Sequence, residues 1–398
     1  MTSVIAIGYR PWSHVDRSGV NVRDLHLALE LAKRDDIDAV LYVSRPVSVA
    51  EQLVRRMSWR LAGGRVVVQG DNFQLIQVTQ SEKVFSLTSR SSDLVAPITK
   101  GRAWWDEALA NRGFLRDLSR SIGCLGISDP ALLSWTPFAP TVFANVPHAK
   151  SVFDVIDNFA IHARVSRQER AKCMEGYAYI GNVATSVTCV SERAGSVFRG
   201  TRAVPQVLRN GVPREWMSAA PDCPVDLAKL RRSNIVGCGG YFFEKFRTDI
   251  LIECARRMPE TDFVLLGVIL DKSIQKKISV IPNIHFLGFR KYEVLSAYYY
   301  HFDAGLILYD MKRENDGDPL KLYEYLAVGT PVVSLPSMGV APTPGAVAVV
   351  GTAAEMETAL CMAFDRPRQE RRATCRATID QGDFWDSKAA FLASLLHS

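Results

Sequence analysis

Asp310-Met-Lys-Arg-Glu-Asn-Asp-Gly-Asp-Pro-Leu-Lys-Leu-Tyr-Glu-Tyr-Leu-Ala-Val-Gly-Thr-Pro-Val-Val-Ser-Leu335 runs from an acidic, Gly-containing loop into a short helix, with a strand directly after it. Asp318 predicts an N-cap, Pro319 the first helical position and Gly329 the far end. Leu322 and Leu326 share a face that packs on a sheet, whereas Lys321 and Glu324, three apart, share another. The backbone N–H groups around Pro319 and Leu320, with Lys321 beside them, form an anion seat suited to a diphosphate. Cations ordinarily favour the opposite end of a helix, so Lys321 in the first turn implies an anionic ligand. Glu324, one turn deeper, is placed to accept hydrogen bonds from ribose hydroxyls. The stretch reads as a nucleotide-sugar clamp.

Asp316 and Asp318 complicate that seat, because carboxylates repel a diphosphate unless they point at sugar hydroxyls. Such a pair suits a neutral hexose better than a uronic acid, and Asp318 serves either as a cap or as a sugar contact. Lys321 and the helix dipole are able to neutralise a leaving group, so no metal and no further cofactor are expected.

Outward from this segment, short apolar runs alternate with helical patterns throughout the 398 residues. That alternation predicts an α/β protein of two doubly wound, Rossmann-like domains facing a cleft at the C-terminal ends of their strands. Residues 1–212 form the first domain, with strands at 4–7, 39–43, 65–69, 73–78, 84–87, 132–135, 150–155 and 188–190. A loop spans 8–19, Asn21 caps a helix bearing Leu25, Leu29 and Leu31, and 102–122 is helical. Asn210-Gly211-Val212-Pro213 is a turn signature, and the irregular stretch after it makes 213–233 the linker. The second domain, 234–375, repeats the alternation. Residues 376–398 form a C-terminal helix, anchored by Trp385 and Phe391, that packs back towards the first domain.

Composition narrows the function classes. Apolar residues at 47% and charged residues at 23% are ordinary for a soluble globular protein. No run approaches a membrane span, and the first ten residues lack the basic start of a signal peptide. A cytoplasmic protein, or one peripheral on the cytoplasmic face of the inner membrane, is expected. Eight cysteines without a C-x-x-C pair argue against a disulfide or metal framework. The formal charge of +6 is too modest to indicate nucleic acid. Residues 45–120 hold twelve Lys/Arg against seven Asp/Glu, together with Trp59, Trp104 and Trp105. A basic, tryptophan-bearing surface there suits an anionic membrane.

With these residues in view, the chain resembles the GT-B glycosyltransferases. Residues 316–334 resemble the E-x7-E region of GT4-type enzymes, Asp316 and Glu324 keeping the separation with Asp in place of the first Glu. The resemblance implies that Glu324 binds ribose and that the loop holds diphosphate and sugar. The Pro-Leu-Lys-Leu-Tyr-Glu-Tyr form is similar to bacterial surface-polysaccharide enzymes such as those of teichuronic acid synthesis. Asn210-Gly211-Val212 resembles the turn entering the C-terminal domain, and Gly239-Gly240-Tyr241-Phe242 with Lys245 its first loop. Phe286-Leu287-Gly288-Phe289 resembles the loop beside the nucleobase. Residues 149–157 and 21–33 resemble, more loosely, the xanthan-pathway glucuronosyltransferase, an inverting enzyme whose base stands at the position of Asp157.

The expected activity is thus transfer of a hexosyl or glucuronosyl group from a nucleotide sugar to a lipid-linked or oligosaccharide acceptor, in synthesis of a bacterial surface polysaccharide or exopolysaccharide. Asp157, at the end of a strand, is the candidate base for inversion; retention would leave it a positioning role. Asp154 is structural or orienting. Lys245 and Arg247 are candidates for the diphosphate, Phe289 and Arg290 for the base, and Tyr309 for the sugar. Arg10, His14, Arg17 and Arg23 could hold an acceptor phosphate. A nucleotide-sugar epimerase and a non-catalytic nucleotide-sugar-binding protein are the alternatives from other classes.

Overall fold

In the computed structural model the described residues are 2–56, 58–61, 63–162, 165–218, 220–230, 233–309, 317–337 and 339–397. The chain divides into two compact units, Met1–Arg209 with Trp385–Ser398, and Asn210–Phe384. The first unit is built on β1 (Thr2–Ile7), β2 (Ile37–Val43), β3 (Val47–Ser48), β4 (Arg65–Gln69), β5 (Phe73–Gln77), β6 (Val84–Ser91), β7 (Ala131–Ser134), β8 (Ser151–Val155), β9 (Ser186–Cys189) and β10 (Gln206–Val207). Their order is β10-β9-β8-β7-β1-β2-β6-β5-β4, with β3 beside β6. All pairings from β10 to β6 are parallel, and β5 and β4 extend the edge antiparallel. Strand order therefore reverses between β1 and β7, where loops of opposite hand leave a crevice.

The second unit contains β11 (Asn234–Phe242), β12 (Thr261–Ile269), β13 (Ile284–Gly288), β14 (Ala304–Ile307), β15 (Val332–Ser334) and β16 (Val347–Val349). They are wholly parallel in the order β13-β12-β11-β14-β15-β16, with the reversal between β11 and β14. Near-continuous apolar strands such as Val4–Ile7 and Phe263–Leu266 are buried because helices cover both faces. Among the described residues no helix is long and apolar enough to cross a membrane.

Several expectations change at this level. Residues expected to link the domains belong to the second unit: Trp216 and Leu227 enter its core, and Trp216 stacks on Tyr292 with ring centroids 5.2 Å apart. Trp59, Trp104 and Trp105 are buried, so they form no membrane-facing surface. Composition counts them but does not say which way they face. The loop after β1 contains a short helix, Ser13–Ser18. Asn21 does not cap the next helix, Arg23–Ala32, whose N-cap is Val22; its side-chain oxygen instead meets His14 Nε2 at 2.8 Å. The region 102–122 breaks at Asn111, which caps the second of two helices, Arg112–Cys124.

The tail is likewise split. Helix Arg368–Arg376 stays with the second unit, while helix Trp385–Leu396 packs on helix Arg23–Ala32 of the first. Trp385 is the anchor, its ring stacked on His26 at 4.9 Å; Phe391 is only half-buried. Burial holds the His26 imidazole far below its usual range, at about 3.

Acid should therefore destabilise the first unit. Unfolded His26 takes a proton below its ordinary value of 6.5, whereas the folded ring stays neutral to about 3. Stability is full above that window and falls as pH drops through it, by about 2 kcal/mol at pH 5. His26→Phe keeps the stack and removes the titration. Urea unfolding at about pH 7 and about pH 5 is expected to show a smaller loss in the variant than in the wild type; equal losses would refute this.

Candidate functional site

The reversal point of the second sheet is a fork. β11 and β14 pair at Val236–Ala304 and Gly237–Gly305, and beyond these pairs the Lys321 side chain enters between them. Its ammonium donates to the Gly239 carbonyl at 2.5 Å and the Tyr309 hydroxyl at 2.6 Å, and it stands 4.3 Å from the Tyr309 ring centroid. Among the described residues Lys321 forms no ion pair. Burial opposes its charge, but Tyr309, Cys238 and Glu324 around it hold its pKa above the ordinary lysine value. A full positive charge is thus fixed at the C-terminal edge of a parallel sheet by neutral acceptors, the place and sign required for an anionic ligand.

The backbone makes room for it. Gly240 has φ +139°, and a Cβ there would lie 2.7 Å from the Tyr309 hydroxyl and 2.9 Å from Lys321 Nζ. Gly267, on the neighbouring strand with φ +137°, allows the Gly240 carbonyl to approach. One turn along the helix, Glu324 is 5% exposed and accepts a hydrogen bond from Tyr292. Burial pushes its carboxyl up to about 7, although Tyr292 and Lys321 pull the other way.

The helix itself runs Leu320–Val328, with Leu322 and Leu326 buried and Gly329 in the left-handed conformation closing it. Its N-cap is Pro319, in extended backbone, so the helix begins one residue later than expected, at Leu320. Asp318 does not cap it. Its carboxylate accepts from the Asn210 N–H at 2.7 Å and the Tyr323 hydroxyl at 2.9 Å, and its carbonyl accepts from Asn210 Nδ2. That carboxylate therefore ties the chain's entry into the second unit to the helix, which also removes it as a sugar contact. Asp316 lies outside the described residues.

The other candidates separate. Tyr309 belongs to the fork, and Lys245, in the loop after β11, is buried. Arg247, at the N-cap position of helix Thr248–Arg257, forms a two-pronged pair with Asp249, which draws its charge away from a diphosphate. Arg290 is held by Asp226 at 2.5 Å and by the Tyr298 hydroxyl at 2.8 Å, leaving the 40%-exposed Phe289 ring as the contact this loop offers. Tyr292 and the Gly239 carbonyl are parts of the site that the sequence pattern missed; the Gly239-Gly240 pair was the available signal.

In the first unit, Asp157 follows the C-terminal end of β8 and is half-buried. The Tyr177 hydroxyl donates to its backbone carbonyl at 3.0 Å, fixing the loop. Tyr9, at the end of β1, is near enough that the Asp157 charge adds to the burial that raises its hydroxyl, against Arg102 and Arg10. Asp154 is wholly buried and structural: it accepts from Arg23 Nε and Nη2 at 2.7 and 3.0 Å, Trp135 Nε1 at 2.9 Å and Thr188 Oγ1 at 2.7 Å. Arg23 is consequently committed to the fold rather than to an acceptor phosphate. His14 is buried against Asn21, and desolvation lowers its pKa, so it makes a poor cation. Arg10 lies over the Tyr9 ring, and Arg17 donates to the Ser13 carbonyl at 3.4 Å.

No family model matches the chain. A Bacillus subtilis protein assigned to teichuronic acid biosynthesis as the glycosyltransferase TuaH is 28% identical over 165 residues, which are 39% of this chain and 41% of that protein. Crystal structures of Anabaena HepE, one in complex with UDP and glucose and one with UDP-glucose, superpose with TM-scores of 0.66 and 0.64 at 15% identity, covering 100% of this chain and 99% of theirs. Sucrose-phosphate synthase from Thermosynechococcus elongatus superposes at 0.68 with 14% identity, over 99% of this chain and 98% of its own. The fold is GT-B, with two Rossmann-like domains.

The role of Asp318 separates from capping by experiment. A cap would tolerate Ser, which still accepts from a helix N–H. As the acceptor for Asn210 and Tyr323, Asp318 should not: Asp318→Ser is expected to cost about 1–3 kcal/mol, like Asp318→Ala. Unfolding in urea checks this, and a Ser variant as stable as the wild type would restore the cap.

Proposed function

We propose that the protein is a glycosyltransferase that moves a sugar from a nucleotide sugar to a lipid-linked or oligosaccharide acceptor of a bacterial surface polysaccharide. The observation that carries this reading is the unneutralised Lys321 ammonium in the fork of β11 and β14. It supplies a cation to the diphosphate at a helix start, while the buried Glu324, one turn deeper, accepts from the ribose. Pro319 and Leu320 present backbone to the phosphates, and the Phe289 face borders the base. The GT-B fold and the partial similarity to TuaH support the donor and the polysaccharide setting respectively.

In this reading Asp157 of the first unit is the base and the reaction inverts. The acceptor oxygen attacks the anomeric carbon while Asp157 takes its proton. The bond from that carbon to the diphosphate oxygen breaks, its electron pair leaving with the nucleoside diphosphate, whose charge Lys321 meets. Donor binding and proton abstraction thereby fall to different residues. The protein acts on the cytoplasmic side, where nucleotide sugars are made available, and needs no metal because Lys321 and the helix start carry the leaving-group charge.

Three outcomes follow from that division. Lys321→Ala should weaken nucleotide-sugar binding about ten- to a hundredfold by calorimetry, with UDP-, GDP- and dTDP-sugars screened to find the donor. Asp157→Asn should leave that affinity intact and slow transfer by about 10²–10⁴-fold, with an inverted anomeric signal in the wild-type product by NMR. Undiminished affinity in the first variant, or undiminished transfer in the second, refutes the corresponding role. Donor affinity should also fall as pH drops through about 7, because protonation removes the Glu324 charge and leaves fewer acceptor sites for the ribose hydroxyls, and Glu324→Gln should flatten that dependence.

A further inference from the structure

The burial of Trp59, Trp104 and Trp105 leaves the basic 45–120 stretch with a different apolar surface. Helices Val49–Arg55 and Ala96–Lys100 pack beside each other. Leu53 is 72% exposed, Val54 82%, Leu94 51%, Val95 68% and Ile98 72%. Ser48 caps the first helix by accepting from the Glu51 N–H, and Asp93 accepts from the Val95 and Ala96 N–H groups where the second begins. The inner side of the second helix is equally apolar, with Ala96 in the core cluster that holds Trp104 and Trp105. Two anchored helices thus stand on the core with aliphatic side chains on their outer faces.

We propose that this pair of helices is a docking surface for an anionic lipid bilayer. Charge complementarity selects that occupant. Arg56 and Arg60 are exposed beside the first helix, Arg60 lying over the Trp59 ring at 5.1 Å. Of the nearby acids, Glu51 pairs with Arg45 at 2.7 Å and Glu107 with Lys100 at 2.7 Å, while Asp93 keeps its charge and accepts from backbone N–H groups, fewer anions than the two arginines. Aliphatic side chains beside two arginines that form no ion pair among the described residues match the boundary between acyl chains and acidic headgroups. This surface would bring a lipid-linked acceptor to the enzyme, a benefit that rests on the proposed function; the binding itself does not.

The test is flotation of the full chain, without nucleotide, with vesicles of phosphatidylcholine alone and of phosphatidylcholine with phosphatidylglycerol. The wild type should float with the anionic vesicles, less so as salt rises. Val54→Ser with Ile98→Ser should cut that partitioning about tenfold, and Arg56→Glu with Arg60→Glu should abolish the preference for phosphatidylglycerol. These side chains are exposed, so thermal melting and calorimetric nucleotide-sugar affinity should stay at wild-type values; loss of affinity belongs to the donor site and is read separately. Absence of vesicle binding by the wild type, or equal binding by either double variant, overturns the proposal. So does light scattering that shows a dimer made monomeric by the serine pair, since a second copy would then be the occupant.

Discussion

A lysine ammonium held between the Gly239 carbonyl and the Tyr309 hydroxyl is the constraint around which the second unit is arranged. Placing a cation in the first turn of a helix runs against the dipole, and placing it under protein runs against solvation. Both costs are met by fixed neutral acceptors that leave the charge intact. The helix is pinned along its length accordingly. Asp318 ties its entry to Asn210, the Tyr325 hydroxyl accepts from the Gly239 N–H at 3.1 Å, and Gly329 turns the chain away. At the far end Arg376 donates to the Ala327 and Val328 carbonyls, a cation where the dipole favours one.

The same arginine-rich helix, Arg368–Arg376, holds the neighbouring helix by its C-terminal end. Arg372 donates to the Tyr300 carbonyl at 2.9 Å, Arg368 to that of His301 at 2.9 Å and Arg371 to that of Asp303 at 3.0 Å. Helix Tyr292–His301 carries Tyr292, the partner of Glu324. The two helices that carry Lys321, Glu324 and Tyr292 are therefore locked from behind by one polar element. Their orientation depends on charged hydrogen bonds to carbonyls that would otherwise lack intrahelical partners.

The sequence disclosed the repeating strand–helix order, because buried parallel strands are continuously apolar and need no distant information to be read. It also disclosed Lys321, since a cation at a helix start conflicts with local electrostatics and demands a reason. What it hid depended on partners far along the chain. Asp318 precedes a helix and so looks like a cap, but Asn210 lies 108 residues away and claims it. Arg23 looks like a surface cation until Asp154, 131 residues on, is seen beneath it. Tryptophans in a basic stretch look interfacial because composition carries no inside or outside. Glu324 was legible as an acid on the right face, yet its elevated pKa comes from burial, against the pull of Tyr292 and Lys321, and burial is nothing the pattern 316–334 contains.

Two domains of one architecture need not both bind an anion, and here the ends of their first strands meet helix side chains of opposite charge. In the first unit the Tyr9 and Arg10 N–H groups, which follow β1, both donate to the Asp24 carboxylate at 3.2 Å, and the Tyr42 hydroxyl joins them at 2.9 Å. The protein's own anion thus occupies the seat where a Rossmann-like fold would place a phosphate. Nearby, Arg23 and Asp154 cancel each other, a buried pair tolerable only because Trp135 and Thr188 satisfy the remaining oxygen lone pairs. In the second unit the equivalent strand ends carry a cation with neutral partners. An incoming diphosphate meets a carboxylate in one unit and an ammonium in the other. The asymmetry supports the proposed placing of the donor in the second unit.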